Sequence, residues 1–181
     1  ERWRTLAVAL GRSSAAAGDH QSAVESYFDA LQIEGIPPDE RRAILTVQAE
    51  SFIQLGQSQA AIHAYDTAVG IEGASPLERA DIHRGLGAVY TTIGAHDKAR
   101  SHLKLVLEAV QDDRTGITHK TLGDGYRAQG MGSEALDAYH RALNYLRRET
   151  HPVELAAAER ALGELYLERS SFANAIAHLE K

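Results

Sequence analysis

Between residues 76 and 93, Ile82, Leu86, Val89, Tyr90 and Ile93 recur at three- and four-residue steps, with mostly polar and small residues between them. That spacing places the apolar side chains on one face of an α-helix over 76–93. The run Gly94-Ala95-His96-Asp97 interrupts it, since glycine suits the left-handed conformation that follows a helix end. A second helix is predicted over 95–110. Alternation at period two, the mark of a strand, is absent along the sequence. Pro37, Pro38, Pro76 and Pro152 fall between helical segments, where proline is tolerated. Ser75-Pro76-Leu77-Glu78 reads as a capping box with proline in the first helical position.

The two-helix pattern returns five times. Leu10-Gly11, Gln48-Ala49, Leu86-Gly87, Leu122-Gly123 and Leu162-Gly163 share one slot, at separations of 38, 38, 36 and 40 residues. Three residues past the small residue stand Ser14, Phe52, Tyr90, Tyr126 and Tyr166. Then come Gly18, Gly56, Gly94, Gly130 and Ser170, followed by Ala23, Ala61, Ala99, Ala135 and Ala175. The last slot holds Tyr27, Tyr65, Leu103, Tyr139 and Leu179. A fixed period in this range marks stacked supersecondary units. The repeats run approximately over 4–38, 39–74, 75–112, 113–150 and 151–181, and together form one domain over 2–181. Small residues in a recurring slot let helix backbones approach closely, and the tyrosines fill the wider gaps beside them. Gly87 is one such position, where a bulky replacement is expected to overpack an interface.

The order Leu-Gly, aromatic, Gly, Ala, aromatic resembles the tetratricopeptide repeat, over nearly the whole chain. The family unit has 34 residues, and these are longer, at 36–40. Its tryptophan slot holds Ala7, Leu45, His83, His119 and Glu159 here. The resemblance implies an all-α, right-handed α-solenoid of about five antiparallel helix pairs. It also implies that the first helix of each pair lines a concave groove for a peptide or protein segment. By resemblance the groove positions are Arg12, Glu50, Gln54, Arg84, Lys120, Asp124, Arg127, Arg160 and Glu164. Where some members carry a clamp asparagine for chaperone tails, this chain has Arg12, Glu50, Ala88, Asp124 and Glu164. Tail binding in that form is therefore not expected. The longer units and the Glu78-Arg79-Ala80 helix start look similar to the repeat arms of larger signalling and regulatory proteins.

Spacing bears on the groove independently. Lys120, Asp124 and Arg127 stand at four- and three-residue steps and so share a helix face. Two readings of the charges are open. Lys120 and Asp124 can simply pair along the helix. Alternatively, Arg84, Lys120, Arg127 and Arg160 form a basic strip that attracts an acidic segment or a C-terminal carboxylate, with Asp124 and Glu164 adding selectivity.

A net charge of −6 argues against nucleic-acid binding by phosphate neutralisation. With no cysteine, there is no disulfide framework and no thiolate chemistry, which fits a reducing, cytoplasmic setting. No apolar run reaches membrane-spanning length. The chain lacks an initiator methionine and stops at Lys181 within a predicted helix, as a fragment of a longer protein would.

Catalytic signals dissolve on inspection. His83 and His119 share a repeat slot, as do His20 and His96, which is how structural residues behave. No His-Glu-x-x-His is present, and no cofactor or metal is expected. Ser101-His102-Leu103-Lys104 matches Ser-x-x-Lys, but lies mid-helix without its companion motifs. The expected function is a non-catalytic interaction scaffold. The alternative is a self-association module stacking through its end repeats, with Trp3 at one end.

Overall fold

A computed structural model of the chain describes residues 2–110 and 112–180, the side chain of Asp113 excepted. Glu1, Gln111 and Lys181, the last of which closes the final predicted helix, lie outside the described residues. Ten helices are present among the described residues, and no strand. They fall into two compact units, one up to Val89 and one from Tyr90.

The first unit holds α1 (Arg2–Ala16), α2 (His20–Leu31), α3 (Pro38–Gln54), α4 (Ser58–Gly70) and most of α5 (Pro76–Thr92). Here α1 pairs with α2, α3 with α4, and α2 stacks on α3. Its core gathers Ala23, Tyr27, Ala30 and Ile44, flanked by Ala7, Val8, Ala15, Leu31 and Val47. The second unit holds α6 (His96–Ala109), α7 (Asp113–Ala128), α8 (Gly132–Tyr145), α9 (Pro152–Glu168) and α10 (Phe172–Leu179). In it α7 pairs with α8 and α9 with α10, while α6 stacks on α7 and α8 on α9. Its core is built from Leu136, Tyr139, Leu146, Leu162 and Leu165 around Ala135, Ala142, Ala158 and Ala161.

The recurring slots have one structural meaning throughout. Gly18, Gly56, Gly94 and Gly130 adopt positive φ, as does Ser170 at 56°. Each ends a helix with the same pair of bonds. After α3, Gln57 N–H donates to the Phe52 carbonyl and Gly56 N–H to the Ile53 carbonyl, both at 2.9 Å. The same pair closes α9 at Ser171–Tyr166 and Ser170–Leu167. These bonds satisfy carbonyls that the helix end would otherwise leave open. One turn later, the slot alanines Ala23, Ala61, Ala135 and Ala175 are fully buried. The close approaches fall where small residues stand: a Cβ on Gly11 would lie 2.5 Å from the Tyr27 ring, and one on Gly123 2.6 Å from Tyr139. In the third repeat Gly85 has this role, with the Tyr65 ring 2.3 Å from an added Cβ. Gly87, in the slot itself, is buried.

Proline opens α3, α5 and α9, and the capping box forms as its sequence predicts. Ser75 N–H donates to Glu78 Oε2 at 2.8 Å, and Glu78 N–H donates to Ser75 Oγ at 3.2 Å. Glu78 also accepts from Arg42 Nη2 at 2.9 Å, and Arg4 Nε donates to Glu40 Oε1 at 2.8 Å. Two buried arginines thus tie α1 to α3 and α3 to α5 at an equal sequence separation of 36. The Ser75 bonds, backbone then side chain, and next Arg42, hold the Glu78 carboxyl down at about 2, from an ordinary 4.5. Its folded pKa is depressed, so its contribution to stability is full above the unfolded value and is lost as pH falls from about 4.5 towards 2. Glu78→Gln is therefore expected to flatten the acid limb of unfolding for the first unit in that window. A thermal-melt series from pH 5 to pH 2 reads the change, and an unaltered acid limb would refute it.

Candidate functional site

The groove candidates gather around two clefts, one in each compact unit. In the first unit Arg12 of α1 and Glu50 and Gln54 of α3 line an open cleft of about 620 Å³, floored in part by Tyr27, Val47 and Ser51. Glu50 reaches solvent, yet desolvation by the surrounding helices raises its carboxyl above the ordinary range. Arg84 counters that rise and Asp81 adds to it. Arg84 Nη2 lies 3.6 Å from Asp81 Oδ1 on the same helix. Arg12 is exposed and has no ion pair among the described residues.

In the second unit all five remaining candidates line one cleft of about 450 Å³. Lys120, Asp124 and Arg127 project from α7, and Arg160 and Glu164 from α9. They meet because α7 and α9 each turn the face offset from the apolar core towards the cleft. Tyr139 of α8 closes the floor, and its hydroxyl donates to Asp124 Oδ1 at 2.8 Å. Burial, reinforced by that carboxylate, raises the Tyr139 phenol far above its ordinary value. Tyr139 therefore remains a neutral donor.

The charges in this cleft are largely spoken for. Lys120 Nζ lies 2.9 Å from Asp124 Oδ2, the intrahelical pairing that spacing allows. Arg127 bridges helices, donating to Glu164 at 2.5 Å and to Glu168 at 3.2 Å. Arg160 is exposed and, among the described residues, makes neither ion pair nor hydrogen bond. Of the four cations read as a basic strip, Arg84, Lys120 and Arg127 thus have carboxylate partners and Arg160 does not.

Other features escape a one-dimensional reading. A third cleft of about 510 Å³ lies among α6, α7 and α8, lined by Arg100, Lys104, His119, Tyr126, Asp137 and Arg141. Burial, and then Arg141, lowers the His119 pKa, while Asp137 opposes the shift. Near α10, His178 Nδ1 donates to the buried Glu159, and the His178 ring stacks on Tyr166 with centroids 5.6 Å apart. His140 Nε2 and the Tyr166 hydroxyl hydrogen-bond at 2.9 Å. These partners come from three helices. Tyr166 and Glu159 occupy repeat slots, and the stack of Tyr166 with His178 is matched at the same spacing by Tyr90 and His102, but for the bonds made by His140 and Glu159 spacing carries no signal. The Arg4–Glu40 and Arg42–Glu78 pairs did carry one: arginine and glutamate each return after 38 residues. Among the described residues, no group of three or more His, Cys, Asp or Glu side chains is arranged to hold a metal ion. No described helix is long and apolar enough to cross a membrane.

Residues 78–148 match the family model described as tetratricopeptide repeat. Over that stretch the chain is similar to the tetratricopeptide repeat, and its fold is an all-α array of helix pairs. It is similar to the crystal structure of BtubC (BKLC) from P. vanneervenii, with a TM-score of 0.78 and 22% identity, over 94% of this chain and 74% of that one. It is also similar to PilW, a widely conserved type IV pilus biogenesis factor, with a TM-score of 0.76 and 17% identity over 99% and 76% of the two chains. A third similar structure is the APC/C hetero-tetramer Cut9–Hcn1, with a TM-score of 0.74 and 20% identity, over 96% of this chain and 32% of that one. At these identities the likeness is one of fold. No curated protein matches the chain in sequence.

Proposed function

We propose that this chain is a non-catalytic protein-interaction scaffold that holds a peptide or protein segment in the cleft between α7 and α9. The observation that carries the reading is the convergence of five charged groove candidates from two helices on one cleft, above a buried tyrosine floor. Paired charges of both signs, held in fixed geometry, favour a polar segment whose own charges match. The tetratricopeptide match supports a binding surface over a reaction centre, and one structure of the same fold is the APC/C hetero-tetramer Cut9–Hcn1. Reversing Arg127 and Arg160 together to glutamate is expected to lower capture of a bound segment at least tenfold while leaving helical circular dichroism unchanged. Undiminished capture by that variant would overturn the proposal.

A second reading is self-association through the outer helices, favoured by a specific observation. Leu6 and Leu10 of α1 are each 57% exposed, whereas Ile44, Ile82, Leu86 and Leu162, in the same slots of other repeats, are at most 2% exposed. Trp3 extends that apolar face on α1, and Phe172 and Ile176 form another on α10. Concentration-dependent mass in light scattering, abolished by Leu10→Glu, is the result this reading requires.

A further inference from the structure

We infer that the α7–α9 cleft selects a peptide by one mid-chain Asp or Glu side chain set close to an apolar residue, not by a run of acidic residues. The inference rests on the groove reading above and specifies its ligand. Along one face of α9, Val153, Ala156, Ala157, Arg160 and Glu164 follow at helical steps. The N-terminal part of this face is an apolar, open recess of about 500 Å³ formed by Pro152, Val153, Ala156, Ala157 and the stem of Arg160. Val153 is 74% exposed there. The C-terminal part is the polar cleft, and Arg160 and Ala157 line both.

Charge decides what this face can recognise. Lys120 is already paired with Asp124, and Arg127 with Glu164 and Glu168. A polyacidic ligand would have to break those pairs and would also meet Asp124 and Glu164 as like charges. On this face, among the described residues, Arg160 is the cation without a carboxylate partner, and its fork fits one carboxylate in bidentate fashion. Arg12 has similar freedom in the first unit, but its cleft also holds Glu50, a like charge for an incoming carboxylate.

Geometry then sets the order of groups in the ligand. Val153 and Arg160 are two helical turns apart, about 10 Å along α9 at roughly 1.5 Å per residue. An extended peptide advances about 3.3 Å per residue, so the apolar side chain falls within about three residues of the carboxylate. Binding surface continues on both sides of Arg160, so the ligand chain continues as well. The carboxylate is therefore a side chain within the peptide and not its C-terminus.

A randomised twelve-residue peptide library, displayed with either end free and selected against the full chain, tests this inference. Enriched peptides are expected to carry one internal Asp or Glu within three residues of Leu, Ile, Phe or Met. A representative peptide should lose at least tenfold in affinity to Arg160→Ala, or on changing its acid to the amide. Val153→Asp should weaken it comparably. Arg160 and Val153 are exposed, so both variants should keep the parent circular dichroism. Enrichment of acidic runs that bind Arg160→Ala equally well would overturn the inference and leave the groove reading standing. So would binding that requires the acid at the free C-terminus. If no peptide is enriched over a scrambled-surface control, the inference and the groove reading fall together.

Discussion

Truncating Tyr139 to alanine is expected to destabilise the second compact unit by about 3–5 kcal/mol, the range for removing a large buried aromatic side chain. Tyr139 is 1% exposed and sits in the core cluster with Leu136, Ala142 and Leu162. Its hydroxyl also fixes Asp124 at the cleft. Tyr139→Phe keeps the ring and loses only that hydrogen bond, so about 1 kcal/mol is expected. Repeat arrays need not unfold in a single step, so the reading should be local. Amide hydrogen exchange in α7 and α8 provides it. A loss below 1 kcal/mol for Tyr139→Ala would show that the tyrosine slot does not hold the repeat together.

Two glycines on α7 are expected to respond in opposite directions to the same substitution. A methyl group on Gly123 would stand 2.6, 2.7 and 2.9 Å from three atoms of the Tyr139 ring. That ring cannot withdraw easily, being buried and tethered to Asp124. Gly123→Ala is therefore expected to cost about 1–3 kcal/mol through overpacking, despite alanine's better helix propensity. Two residues on, a methyl group on Gly125 would meet nothing closer than 3.8 Å, which is ordinary contact. Gly125→Ala should gain up to about 1 kcal/mol from propensity. Combining Gly123→Ala with Tyr139→Ala should cost less than the two separately, since the second change removes the clash created by the first. Urea unfolding monitored in α7 and α8 checks all three variants, and equal effects at Gly123 and Gly125 would contradict the packing account.

Much of this architecture could be read from the sequence because repetition averages out local ambiguity. The helix break at Gly94 and the cap at Ser75 were visible residue by residue, and α5 and α6 begin and end within one residue of the predicted 76–93 and 95–110. The tyrosine slots were legible as core, and Tyr27, Tyr65 and Tyr139 are all buried. The groove candidates were legible as helix faces, because Lys120, Asp124 and Arg127 are neighbours along one helix. Whether their charges were free was not, since Arg127 finds Glu164 and Glu168 on a helix about forty residues away. Such pairings depend on the lateral register of packed helices, which no local period encodes. The same reason hid the contact of His178 with Glu159 and the crowding of Gly85 by Tyr65.

The most direct test of the groove account is site-specific photocrosslinking of a bound peptide or protein segment. A photoreactive residue at Ala157 would stand at the junction of the polar cleft and the apolar recess. One at Glu108 would stand on an exposed position of α6, outside the α7–α9 cleft. The account predicts crosslinks from position 157, lost on Arg160→Ala, and none from position 108. Crosslinks from position 108 with none from position 157 would contradict it.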